Sequence, residues 1–185
     1  GADIEEVAKA IGMDSRIGNS FLKTSVGFGG SCFKKDILNL VYLCEYFGLP
    51  EVASFWNEVV KINKWHQHRI SKLIIKKLFG TLSGKKIAIL GFAFKSNTND
   101  TRESAAIQIC KDLLNEGAIL NIHDPKVSEK QIHLDLSQSN ETNRWCKVSI
   151  LNDAFIGADA SVILTEWAEY SVIDWEHAVK KMRRP

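Results

Sequence analysis

No C-x-x-C pair occurs among the four cysteines, Cys32, Cys44, Cys110 and Cys146, and no histidine or cysteine stands at zinc-ligand spacing from another. A structural zinc site is excluded, and no metal is expected. His66 and His68 are two residues apart and point to different faces of a helix, a poor metal pair. A polybasic run is missing too, and the formal net charge of +2 gives no field that would attract nucleic acid. The longest apolar stretches, such as residues 87–94, are far too short to span a bilayer. The first residues, Gly1 to Glu6, lack the charged-then-apolar layout of a signal peptide, so the cytoplasm is the expected compartment. There is no internal repeat and no G-x-G-x-x-G fingerprint. What is present is ordinary: 45% hydrophobic and 25% charged residues, in 185 residues, suffice for a buried core.

The chain changes rhythm near residue 85. Before it, the pattern is helical. Asp3 with Glu6 reads as a capping box ahead of Ile4, Val7, Ala8 and Ile11, and Gly12 ends that helix. A Gly- and Ser-rich loop covers 25–31, and a second helix is predicted from Cys32 to Phe47. A third, long helix is predicted from Glu51 to Phe79, with an apolar stripe at Val52, Phe55, Val59, Ile62, Ile70, Leu73 and Leu78 that reads as a core or dimer seam. Trp56 and Trp65 read as helix packing. After residue 85, strands at Lys86–Gly91, Ala118–His123 and Ala160–Leu164 alternate with helices at Glu103–Glu116 and Asp153–Ile156. That alternation predicts an α/β chain: a helical dimerisation region (1–82) with a long connecting helix, then a Rossmann-like parallel-sheet domain (83–185). The polar segment 128–147 reads as a surface excursion. The chain starts inside a helix and stops short of a closing strand, so a fragment is expected.

Two constellations carry chemistry. In Val26-Gly27-Phe28-Gly29-Gly30-Ser31-Cys32-Phe33-Lys34-Lys35-Asp36, the glycines let backbone N–H groups approach a ligand. Ser31 is the expected N-cap, which would place Cys32 in the first helical turn, where the helix dipole, Lys34 and Lys35 all favour the nucleophilic thiolate. Asp36 lies one turn on, on the same face, and can hold or deprotonate a water. A tight turn over a buried thiol would give the same pattern. Cys44 and Cys110 sit in apolar helical contexts and read as inert; Cys146 carries no readable role. The second constellation, residues 91–104, is a strand-to-helix loop bracketed by Lys95 and Arg102, which suit phosphate oxygens, with Thr101 able to cap the following helix and Ser104 nearby. A solvated loop fits it equally. Asp124, before Pro125, suits either a ribose hydroxyl or a plain turn.

These motifs resemble the UDP-glucose/GDP-mannose dehydrogenase family. Gly27–Phe33 with Lys35-Asp36 looks like its nucleophile motif, and Gly91–Lys95 with Asp100–Ser104 looks like the opening of its UDP-binding domain. Ala10–Gly18 is similar to its animal-type UDP-glucose members. The resemblance covers nearly the whole chain and weakens at 128–147. It implies NAD-dependent, four-electron oxidation of UDP-glucose to UDP-glucuronate, with Cys32 forming a thiohemiacetal and then a thioester. By the same resemblance Asp36 is a catalytic partner. Arg16 (reaching across a dimer), Lys23, Ser25, Val26, Gly27, Phe28, Gly29, Phe94 and Lys95 are substrate contacts, and Cys32, Lys35 and Arg102 lie close to NAD. A homodimer at least, and a higher homo-oligomer, is implied. The family's NAD fingerprint, catalytic glutamate and catalytic lysine have no counterpart in this sequence, so the isolated chain is expected to be inactive. Two alternatives stay open: a non-catalytic dimerisation and nucleotide-sugar-binding module, or a dehydrogenase of another nucleotide sugar such as GDP-mannose.

Overall fold

The computed structural model describes residues 1–137 and 144–183. Three helices open the chain: α1 (Ile4–Gly12), α2 (Phe33–Tyr46) and α3 (Pro50–Lys77). The Asp3 side chain caps α1 by accepting from the N–H groups of Glu5 and Glu6. Pro50 opens α3, where its missing N–H costs nothing. At 28 residues, α3 runs about 42 Å.

The apolar stripe of α3 divides: Ile70 and Leu78 pack against the core of the second half, and most of the rest faces outward. Val52, Phe55, Ile62 and Leu73 are exposed, and the helix instead buries Ala53, Gln67, Ser71 and Ile74. Trp65 is also exposed rather than packed, with the Arg69 guanidinium 6.0 Å above its ring. Tyr42, Tyr46 and Phe47 on α2 continue this open apolar surface.

The second half is a four-stranded, all-parallel sheet in the order β3-β2-β1-β4, built from β1 (Lys86–Leu90), β2 (Ile119–His123), β3 (Trp145–Lys147) and β4 (Ala160–Ile163). Around it lie α4 (Ala105–Asn115), α5 (Glu129–Leu136), α6 (Leu151–Ala154), a 3-10 turn (Ala168–Val172) and α7 (Trp175–Lys181). Burial on both faces explains why Ile87-Ala88-Ile89-Leu90 reads as an unbroken apolar run: all four are fully buried. Residues 128–147 are not simply a surface excursion. Ser128 caps α5, whose Ile132 and Leu136, one turn apart, are buried, and Trp145–Lys147 adds an edge strand. The middle of that segment, 138–143, lies outside the described residues.

The helical region is pinned to the sheet domain by Asp112 of α4, which accepts from His68 Nδ1 (2.8 Å) and Ser71 Oγ (2.7 Å) of α3. At the end of β2, the buried Tyr170 hydroxyl donates to the His123 carbonyl and lies 3.0 Å from His123 Nδ1. Burial holds His123 below its ordinary value of 6.5, the stronger influence over the acidic side chains of Glu169 and Asp124, which act the other way. The unfolded chain therefore binds the proton first as pH falls through 6.5. Stability from this group is full above that value and declines below it. Hydrogen exchange of the β2 amides is expected to show weakening protection over that range, and His123→Asn is expected to flatten the pH dependence.

Candidate active site

The loop at 25–31 is held from two sides. On the α3 side, Asn63 Oδ1 accepts from the Phe28 N–H (3.0 Å) while its Nδ2 donates to the Phe28 carbonyl (3.0 Å). One turn along, the His66 ring lies 3.0 Å from the Ser25 carbonyl through Nε2. On the sheet side, the Gly30 N–H donates to the Arg102 carbonyl (2.8 Å), and Lys34 Nζ pairs with Glu103 Oε2 (2.7 Å). Gly29 is required by this closeness, because a Cβ there would meet the Glu103 carbonyl oxygen at 2.5 Å. Gly30 combines a φ of +90° with the Phe94 ring against its Cα face. Glu103 itself is a non-glycine residue at φ +54°, a local strain concentrated where the two segments meet.

Cys32 emerges from this clamp, exposed, as the N-cap of α2. Ser31 does not cap the helix; its Oγ lies 3.5 Å from Cys32 Sγ. The helix begins at Phe33, one residue later than the Ser-x-x pattern suggests, and Cys32 at its cap position makes no side-chain cap bond. Asp36 stacks one turn above, its N–H donating to the Cys32 carbonyl (2.8 Å), and its exposed carboxylate is 3.6 Å from Lys35 Nζ. Phe28 and Phe33 pack edge to face, with ring centroids 4.7 Å apart, beside the thiol.

In the second loop, the cap of α4 is Ser104 and not Thr101. Ser104 Oγ accepts from the Ala106 N–H and donates to the Phe92 carbonyl. Arg102 grips Asp100 as a fork, NH2 to Oδ2 at 2.7 Å and Nε to Oδ1 at 3.0 Å. That bond holds the Asp100 carboxyl below its ordinary range and Arg102 above its own, and charge on Cys32 pushes Arg102 in the same direction. Asp124 is a structural hub: its Oδ2 accepts from Phe92 N, Ala93 N and Trp167 Nε1, and its Oδ1 from Lys126 N and Val127 N.

The strand order reverses direction between β1 and β4, the switch point beyond whose carboxyl ends ligands bind in open α/β sheets. A cleft of about 360 Å³ opens there. It gathers Ser25, Val26 and Gly27 from the glycine loop, Phe94 and Lys95 from the loop after β1, and Thr165 and Glu166 from beyond β4. Five of the expected substrate contacts thus meet in one cavity. Lys23 lines a neighbouring cavity of about 590 Å³ that shares Thr24 and Glu166. Phe28 and Gly29 serve the clamp rather than the lining. Arg16 stands apart on the turn after α1, 87% exposed in its side chain and paired with Asp14 (2.6 Å). Thr165 and Glu166 were not foreseen, although the strand-end rule applied to β4 points to them. Asn63 and His66, polar residues along a helix face, gave no signal. Among the described residues no group of three or more His, Cys, Asp or Glu could hold a metal ion, and no helix is long and apolar enough to cross a membrane.

Residues 88–185 match the UDP binding domain, and residues 1–65 the central domain, of one family model set. The chain belongs to the UDP-glucose/GDP-mannose dehydrogenase family. Among family members it is 55% identical over 191 residues to a Gallus gallus protein named UDP-glucose 6-dehydrogenase, covering 100% of this chain and 39% of that one. A Drosophila melanogaster protein of the same name is 52% identical over 192 residues, covering 100% and 40%. Among solved structures, a UDP-glucose dehydrogenase from the hyperthermophilic archaeon Pyrobaculum islandicum superposes with a TM-score of 0.83 at 31% identity, over 95% of this chain and 38% of that chain. The chain therefore spans about 39% of the length of the chicken relative.

Proposed function

We propose that this chain carries the nucleophile and the nucleotide-sugar cleft of an NAD-dependent UDP-glucose 6-dehydrogenase. The observation that carries this reading is the clamp: one glycine loop lines the cleft at the sheet's switch point with residues 25–27 and delivers Cys32 at its other end. The UDP moiety of the substrate is assigned to the cleft, with Lys95 opposite a phosphate and Phe94 beside it. The sugar then extends along the loop towards the thiol. The C6 alcohol first loses a hydride and a proton to give the aldehyde; the Cys32 thiolate then adds to it, and the aldehyde oxygen takes up a proton to give a thiohemiacetal. Oxidation of that carbon, with loss of a hydride and a proton, leaves a thioester. Water adds to the thioester, the carboxylic acid forms, and the sulfur leaves as the thiol. Asp36, exposed one turn above Cys32, is placed to orient that water.

The donor set beside the thiol suits a dinucleotide: Lys35 and Arg102 are exposed cations, and Arg102 is pre-aimed by Asp100. NAD, when bound, supplies the hydride acceptor for both oxidations. The open apolar surface of α2 and α3, including Tyr46, Phe47, Val52 and Phe55, is assigned to a homodimer interface at least, because monomers rarely leave such a patch uncovered. Arg16, free of the cleft, is assigned to a partner's substrate.

The test is stoichiometry in the intact enzyme that carries this chain. With UDP-glucose as substrate, two NADH are expected to form for each UDP-glucuronate, followed by absorbance and by chromatography of the sugar nucleotide. One NADH with an aldehyde product, or no oxidation of UDP-glucose, would reject the assignment.

A further inference from the structure

We infer that Asn63 is a positioning residue for the reaction, acting through the backbone of the glycine loop. This rests on the reading of Cys32 as the nucleophile and extends it to a residue of α3 outside the lining of the cleft assigned to the sugar nucleotide.

A glycine-rich loop has little means of holding one shape, because each glycine adds backbone freedom and no side chain to pack. Between Ser25 and Ser31 something else must order the chain. Ser25 makes only a local loop, its Oγ lying 3.0 Å from the Gly27 carbonyl and 3.2 Å from the Gly27 N–H. Asn63 satisfies both backbone groups of Phe28 at once, donor to carbonyl and acceptor to N–H, in the manner of a neighbouring β-strand. A carboxamide is the side chain that offers both partners at this reach. Asn63 also occupies the space that a Cβ on Gly27 would need, with its Oδ1 at 3.0 Å from that position, so loop and helix are in direct contact. Phe28, fixed at its backbone, packs on Phe33, the residue directly after Cys32. A continuous chain of contacts therefore runs from Asn63 through Phe28 and Phe33 to the thiol, while Gly27 on the other side of Phe28 lines the cleft. Releasing Phe28 loosens the relation between sulfur and sugar without removing a group that binds either.

The experiment uses the intact enzyme with Asn63→Ala and Asn63→Asp, assayed with UDP-glucose and NAD. Loss of positioning by a fraction of an ångström to 1 Å lowers kcat by about 10- to 100-fold, with KM for UDP-glucose held within about threefold. Asn63→Asp keeps an acceptor for the Phe28 N–H and loses the donor to its carbonyl, so its kcat is expected between wild type and Asn63→Ala. Alkylation of Cys32 by iodoacetamide, read at its peptide by mass spectrometry, needs no substrate alignment and is expected to keep its rate in both variants. A kcat for Asn63→Ala within about twofold of wild type overturns the inference. So does a loss in which kcat, KM and the circular-dichroism spectrum all change together and Asp does no better than Ala, which marks a purely structural role. Cys32→Ala, assayed in parallel, separates the two readings. If it still makes UDP-glucuronate, the nucleophile assignment has failed and this inference falls with it. If it is dead while Asn63→Ala is fully active, only the role of Asn63 is lost.

Discussion

Cys32→Ala in the intact enzyme is expected to lower UDP-glucuronate formation by at least about 10⁴-fold while leaving UDP-glucose binding within about threefold of wild type. The size of the first effect follows from the chemistry. Without sulfur there is no covalent acyl intermediate, and none of this chain's other thiols can substitute, since Cys44 and Cys110 are buried and Cys146 lies on the edge strand. Burial pushes the Cys110 thiol well above its ordinary range, so it is inert as a nucleophile. The second effect follows from geometry, because the cleft is lined by residues 24–27, the loop after β1, the start of α4 and residues 163–166, and Cys32 is outside that lining. Cys32→Ser is the sharper variant. A hydroxyl has the same reach but adds poorly at neutral pH and is a poor leaving group from an ester, so the variant is expected to stall with the sugar attached or unreacted. Product analysis and intact-protein mass spectrometry distinguish these states. Full turnover by either variant would remove Cys32 from the chemistry.

Much of the candidate site was legible because its parts are local. The glycine loop, the cysteine and the aspartate one turn later form one short stretch and the Lys95–Arg102 bracket another, and each residue type signals its chemistry without reference to the fold. The strands were legible for a similar reason: a parallel strand buried on both faces is an apolar run, and Ile87–Leu90 is one. The caps were less so. Ser31 and Thr101 are good capping residues at plausible positions, but which residue caps a helix depends on the backbone of the chain entering it. At α2 the helix starts at Phe33 and Cys32 takes the cap position, and at α4 the left-handed Glu103 and the turn from Ser104 N–H to the Thr101 carbonyl shift the cap to Ser104. The α5 helix was hidden because it has one buried pair, Ile132 and Leu136, with the exposed Leu134 between them and polar residues around them, which leaves no clear helical stripe. Least legible were the contacts between distant segments. Asn63 lies 35 residues from Phe28, and nothing in a helical polar residue announces that its amide will complete a loop.

Asp124 shows the same limit, with a large energetic consequence. The sequence allowed a ribose-binding acid or a turn residue, and the structure makes it the fastening of the sheet's carboxyl edge. Its side chain, 2% exposed, accepts five hydrogen bonds: three at Oδ2, from Phe92 N, Ala93 N and Trp167 Nε1, and two at Oδ1, from Lys126 N and Val127 N. With every acceptor position committed inward, it has nothing to offer a ribose. Asp124→Ala strands these donors, most of them buried, and each stranded donor costs about 1–3 kcal/mol, partly relieved by water entering the space. The expected net loss is about 3–5 kcal/mol, which places the variant among the severely destabilised. Asp124→Asn keeps one carbonyl acceptor and turns the other position into a donor facing donors, so it is expected to recover only part of that loss. Hydrogen exchange of the β1 and β2 amides in the intact enzyme reads the effect locally, where global unfolding of a larger protein would not be two-state. The loop that follows β1 carries Phe94, Lys95 and Arg102, so nucleotide-sugar affinity is expected to fall together with β1 protection. Wild-type protection in Asp124→Ala would mean that the five N–H groups find other partners, and that the cleft's floor is held by something else.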